Sequence, residues 1–401
     1  MKKQLIVAGL AGLMALSMAG CGTNNGGTTG TSSTSTTTSS SAPTSSTSTS
    51  AGNAGNANIT IGVAMPNKTS SRWVADGNAV KAGLEALGYK VDLQYAGDDI
   101  PTQTQQIDAM ITQGEKLLII ASIDGTALTS QLQAAADAGV KVIAYDRLIN
   151  GSKNVDFYVS FDNFKVGVAQ ANSLLFGLGL TNKDGTPAAN APAGPLDIEL
   201  FAGSPDDNNA TFFWNGAMSV LQPYLDKGTL VVKSTQTKFD QCAITRWLLE
   251  TAQTRMDNLL TSAYGGNGAG LKGVLSPYDG LSRGIINAAT NVGMGPTIEK
   301  GMPIVTGQDA EIESVSLINK GIQFSTIFKD TRKLAAQAVT VASAFLAGNT
   351  PEANNTKDYN NGVKIVPSYL LDVDTINKED IQSKLIDSGY WTQAQVDAGQ
   401  A

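Results

Sequence analysis

Acids, bases and amides recur just beyond short apolar runs in this chain. ITIGVAM leads into Lys68, Arg72 and Trp73, KVIAY into Asp146 and Arg147, and LDIELF into Asp207 and Asn209. GVLS leads into Asp279, PIVT into Gln308 and Asp309, and FSTIF into Lys329. Carboxylates accept hydroxyl protons, whereas guanidinium, ammonium and amide groups donate to hydroxyl oxygens. Both kinds together suit a small, uncharged, hydroxyl-rich ligand, of which a free sugar is the plainest case. The chain has no histidine. That excludes Ser-His-Asp and Cys-His catalysis, histidine acid–base work and histidine-ligated zinc.

The apolar runs alternate with helical periodicity from Ile59 onward. Helices are expected over 72–87, 102–113 and 127–138, closed by Gly88, Gly114 and Gly139. KLLIIA is a continuous apolar run, as in a strand buried on both faces. The rhythm restarts after Phe161 with a helix over 164–178, and continues through LDIELF, LVVKS, GVLS, PIVT and QFSTIF. Strand–helix alternation of this kind gives an α/β fold of two doubly wound parallel-sheet lobes. In such sheets ligands bind at the carboxyl ends of the strands, where the polar residues fall. A late helix (331–346) and an extended stretch (363–371) make no lobe of their own. They are expected to complete the existing lobes, so that the chain crosses between them repeatedly and forms a hinge. The N-terminal lobe is assigned 58–161 and 330–362, and the C-terminal lobe 162–329 and 363–401.

Residues 1–20 read as a secretory signal, with Lys2 and Lys3 ahead of an apolar stretch. Met18-Ala19-Gly20-Cys21 resembles the bacterial lipobox, in which the cysteine becomes the lipid-modified first residue. Residues 22–57, rich in Ser, Thr, Gly and Asn, cannot bury enough surface to order and are expected to be a flexible tether. The formal charge of −7 argues against a nucleic-acid partner. With Cys21 lipidated, Cys242 stands alone and no intramolecular disulfide is expected.

The motifs SRWVADGN, IASIDGT, VIAYDRLI, SFDNFKVG, GSPDDNNA, RMDNLL, LSPYDG, GQDAE and STIFKDTR, in this order, resemble the sugar-binding proteins of bacterial ABC importers. These belong to class I of the periplasmic-binding-protein-like fold, and the xylose-binding and multiple-sugar (glucose, galactose, arabinose, xylose) members are most similar. The resemblance runs from Ile59 to Leu371. It implies a monomer whose two lobes close over one monosaccharide and deliver it to ABC permease membrane subunits with a cytoplasmic ATPase. Together with the lipobox, it implies an extracytoplasmic lipoprotein held at the cell membrane. The positions matching the family's ligand contacts are Arg72, Trp73, Asp146, Arg147, Asp207, Asn209, Trp247, Asp309 and Lys329; Lys68 and Asp279 lie in matching loops. Trp73 and Trp247 are candidates to cover the apolar faces of a pyranose. Tyr278 stands where xylose-specific members carry asparagine, so strict xylose specificity is not expected. The alternative is a sensor that presents the same bound sugar to a chemotaxis or two-component receptor.

Other polar groups have plainer roles. Asp98-Asp99 reads as a helix cap, and Asp162-Asn163 as part of an interlobe crossing and the next helix start. An aspartate after a strand often caps the following helix, so Asp279 or Asp309 alone carries little weight. GGNGAG precedes a strand instead of following one, and reads as a turn, not a phosphate loop. The first strand–helix turn, MPNKTSSRW, lacks the dinucleotide fingerprint. Neither enzymatic activity, nor a cofactor, nor a metal is expected.

Overall fold

The computed structural model describes residues 55–401. The expected leader, Cys21 and nearly all of the tether lie outside them. The tether's last residues, 56–57, belong instead to a short turn, in which Asn56 Nδ2 donates to the Leu87 carbonyl.

The first lobe begins with β1 (Thr60–Met65), α1 (Ser71–Ala86), β2 (Lys90–Tyr95), α2 (Ile100–Thr112) and β3 (Leu117–Ile120). It continues with α3 (Thr129–Asp137), β4 (Lys141–Tyr145) and β5 (Phe157–Phe161). The chain then enters the second lobe with α4 (Asn163–Gly177), β6 (Leu196–Leu200), α5 (Asn208–Asp226), β7 (Leu230–Val232) and α6 (Phe239–Cys242). There follow α7 (Leu249–Ala263), β8 (Leu271–Leu275), α8 (Asp279–Asn291), β9 (Ile304–Val305), α9 (Ile312–Asn319) and β10 (Thr326–Phe328). Helix α10 (Thr331–Leu346) and β11 (Ser368–Leu371) return to the first lobe. Strand β12 (Asp374–Ile376) and α11 (Gln393–Ala398) close the chain on the second.

The first sheet has the order β11-β5-β4-β3-β1-β2 and is parallel throughout. Its two faces bury separate apolar layers. Leu117 and Ile119 of β3 join the layer under α1 and α10, and Leu118 and Ile120 join the layer under α2 and α3. A strand covered on both faces needs the unbroken apolar run seen in its sequence. The second sheet, β7-β6-β8-β9, is also parallel and is sandwiched in the same way. Beside it β10 pairs antiparallel with β12. Strand order reverses between β1 and β3 in one lobe and between β6 and β8 in the other. Each switch point opens a crevice at the carboxyl ends of the strands.

Three short segments join the lobes, at Asp162, at Lys329-Asp330 and at Asp372-Val373. Two of these aspartates cap the helix that follows: Asp162 accepts from Lys165 N at 3.1 Å, and Asp330 from Arg332 N at 3.1 Å. The Lys165 ammonium also lies 3.4 Å from Asp372, so it ties two of the crossings together. One boundary differs from the sequence expectation. Residues 368–371, assigned to the C-terminal lobe, pair with β5 in the N-terminal sheet, and the crossing falls after Leu371. The open edge of β5 takes up this apolar strand, and only β12 goes to the second lobe.

Candidate functional site

The two strand-end crevices face each other across a cavity of about 410 Å³. From the first lobe, Arg72 and Trp73 enter it from the start of α1, and Asp146 and Arg147 from the end of β4. From the second, Asp207 and Asn209 come from the start of α5, Trp247 from the turn before α7, and Asp309 from the loop after β9. Lys329 sits at a crossing.

All of these side chains except Trp247 form one connected set. Arg72 Nε donates to Asp76 at 2.9 Å and its Nη2 to Asp146, while its Nη1 lies 3.6 Å from Asp309. Lys329 Nζ is 2.9 Å from Asp309 and 3.9 Å from Asp146. Arg147 Nε stands 3.2 Å from Asp207, and its Nη1 donates to the Ser122 carbonyl at 3.1 Å. Asn209 donates to the Asp146 carbonyl at 2.8 Å and accepts from Tyr158 and Asn163. Asn163, read from sequence as part of a crossing, thus supports a cavity residue. The charged and amide side chains here are each held by another polar group, the preorganisation a binding site requires.

Burial works to raise the Asp146 pKa, but the cations around it, Arg72 ahead of Lys329 and Arg147, outweigh that and hold it at about 2. At Asp207 burial prevails over Arg147, and its pKa is raised. The cavity wall as a whole carries five basic and six acidic side chains. So near a balance offers little to a strongly charged ligand, but many donors and acceptors to hydroxyls.

Both tryptophans line the cavity. The Arg72 and Arg147 guanidinium carbons lie 4.6 and 5.2 Å from the Trp73 ring centre. Trp247 meets Phe213 and Tyr278 edge-on, with centroids 6.3 and 6.0 Å away. Gly203 makes room for that indole, since a Cβ there would come within 1.9 Å of it. The buried Trp247 indole N–H has no hydrogen-bond partner among the described residues, so it can serve a ligand.

Seven non-glycine residues of the described chain have positive φ, and five of them line the cavity: Asp98, Asp146, Arg246, Trp247 and Asp309. That conformation costs about 1–3 kcal/mol per residue, and it concentrates at ligand sites.

Two expected residues are not in the wall. Lys68 is exposed, with its ammonium 5.0 Å from the Tyr95 ring centre. The neighbouring Asn67 faces the cavity and accepts from Ser70 N, which shapes the turn into α1. Asp279 is fully buried behind the site and accepts from Glu311 N, Gln323 Nε2 and Thr326 Oγ1 at 2.9–3.0 Å. It anchors the loop that carries Asp309. Sequence reading also missed wall residues. Asp99 does cap α2, but Asp98 faces the cavity and accepts from Asn67. Phe213 carries no signal that separates it from other core residues of an amphipathic helix.

The lobes also touch around the cavity. Ser70 Oγ donates to Glu311 at 2.8 Å, Gly125 N to the Asp206 carbonyl at 3.2 Å, and Arg246 to the Asp98 carbonyl at 3.4 Å. Among the described residues no cluster of three or more His, Cys, Asp or Glu side chains is placed to hold a metal.

Residues 61–350 match the family described as periplasmic binding protein domain. The chain is 55% identical to the multiple sugar-binding periplasmic receptor of Rhizobium radiobacter over 337 residues, 84% of this chain and 92% of the relative. It is 34% identical to the D-xylose-binding periplasmic protein of Escherichia coli over 338 residues, with the same two coverages. Among solved structures, an ABC transporter solute binding protein from Clostridium phytofermentans with bound β-D-glucose superposes with a TM-score of 0.78. That pair is 44% identical, over 84% of this chain and 99% of the other.

Proposed function

Because the chain belongs to the periplasmic binding protein family, we propose that it is an extracytoplasmic receptor that captures a monosaccharide of the glucose, galactose or xylose class between its two lobes. The family binds solutes without transforming them, and the chain is not an enzyme. The observation that carries the reading is the charge-balanced set of Arg72, Asp146, Arg147, Asp207, Asn209, Asp309 and Lys329 in one cavity wall with Trp73 and Trp247. The names of its relatives support the same ligand class. We further infer that the receptor is held at the membrane through Cys21 and hands its sugar to an ABC permease. Bound sugar shifts an open–closed equilibrium toward the closed state, since only there do both lobes engage the ligand.

A thermal-unfolding screen of residues 58–401 against pentoses, hexoses and disaccharides tests this. At a thousandfold excess over Kd a ligand stabilises by about 4 kcal/mol. A large upward shift with glucose, galactose or xylose is expected. No shift with any monosaccharide would assign the cavity to another ligand.

A further inference from the structure

The loop from Gly307 to Glu311 presents Asp309, and its backbone is pinned at successive peptides. The Gly307 carbonyl accepts from Ile327 N at 3.1 Å, and Asp309 N donates to the Ile327 carbonyl at 2.8 Å. Ala310 N donates to Thr326 Oγ1 at 3.0 Å, and Glu311 N to Asp279 at 2.9 Å. These partners all belong to the body of the second lobe. The Ala310 carbonyl is different, because its partner is the indole N–H of Trp391, at 2.9 Å, in the C-terminal segment. The turn it fixes is strained, with φ of 91° at Asp309 and 48° at Ala310. Such angles persist in side-chain-bearing residues only where the surroundings over-determine them.

The same segment reaches the other half of the charge pair. Trp391 packs edge-on against Tyr390, and Tyr390 against Phe328, with centroids 5.1 and 4.6 Å apart. The Tyr390 hydroxyl lies 3.3 Å from Thr331 Oγ1. Phe328 and Thr331 flank Lys329, whose ammonium is 2.9 Å from Asp309.

We propose that Trp391 is a positioning residue for Asp309, holding the left-handed turn that aims its carboxylate into the cavity. This rests on the sugar-binding reading above. Without the indole N–H, the Ala310 carbonyl loses its partner, the turn relaxes, and the carboxylate leaves the direction in which it meets a hydroxyl.

The test is calorimetric titration of wild type, Trp391→Phe and Trp391→His with D-glucose, D-galactose and D-xylose. Phenylalanine keeps the ring but loses the donor, and is expected to weaken binding about tenfold, the worth of one well-placed hydrogen bond. Histidine retains a ring N–H and should bind more tightly than phenylalanine. Val396→Ala, a cavity-forming change in the same apolar cluster, controls for lost stability and should bind as wild type does. A series of monodeoxyglucoses separates positioning from general loosening. The Trp391→Phe loss should vanish for the deoxy sugar whose binding Asp309→Asn also leaves unchanged. Wild type binding no monosaccharide would overturn the functional reading itself. Wild type binding while Trp391→Phe binds equally well, or loses every deoxy sugar alike, would overturn the positioning role.

Discussion

Asp309 meets two cations, one from a crossing segment and one from the opposite lobe, and is 6% exposed. Truncating one member of a buried, hydrogen-bonded charge set at a binding site costs about 2–5 kcal/mol. Asp309→Ala and Arg147→Ala are therefore expected to abolish sugar binding in titration while circular dichroism shows a folded protein. Retained affinity in either would mean that the binding site lies elsewhere. The contrast between Asp309 and Asp279 shows how far sequence carries at this scale. Each is an acid just past a short strand, and each was a candidate contact. What separates them is the set of donors that reaches Asp279 from Gln323 and Thr326, more than forty positions downstream. No local pattern announces those partners. Trp391 was invisible for the same reason, since its relevance arises only when the C-terminal segment folds back onto Ala310.

At the scale of elements, α4 and α5 set how the second lobe presents its ligands. They cross at a pair of glycines: a Cβ on Gly216 would come 2.1 Å from the Phe164 carbonyl, and one on Gly167 would come 2.0 Å from that of Phe213. Helix α5 also carries Asn209 and Phe213 into the cavity. Overpacking such a contact costs about 1–3 kcal/mol. Gly216→Ala should thus lower the urea midpoint and weaken sugar binding together; an unchanged midpoint would show that the helices can part freely. The strand–helix rhythm itself was legible, because parallel strands buried on both faces leave unbroken apolar runs and helices end at glycines. The destination of β11 was not. SYLL is apolar enough for either sheet, and the choice is made by the unpaired edge of β5.

For the whole molecule, closure is a matter of contacts that span the cleft. Ser70 with Glu311, Arg147 with Asp207 and Arg72 with Asp309 all bridge the lobes, while among the described residues three short segments connect them covalently. A ligand that engages both walls shifts the population towards this clasped arrangement. Small-angle scattering should accordingly give a smaller radius of gyration with sugar than without. Equal radii would mean that the lobes are fixed and that the ligand enters by another route. Repeated crossing was legible from two elements too few to form a lobe, but not the ion pairs that tie the crossings together.

The threefold crossing also governs the order in which the molecule can be made. The first sheet lacks its outer strand, and the layer under α1 lacks Leu334, Ala338 and Val341 of α10, until the stretch of the second lobe from α4 to β10 has been synthesised. The half that leaves the ribosome first thus cannot be completed before the main sheet of the second lobe has been made. Until then it exposes an unpaired strand edge and an uncovered apolar face, the features that make a nascent chain aggregation-prone. Both sheet cores of the second lobe draw on one contiguous stretch of sequence, so that lobe can mature while the first still waits.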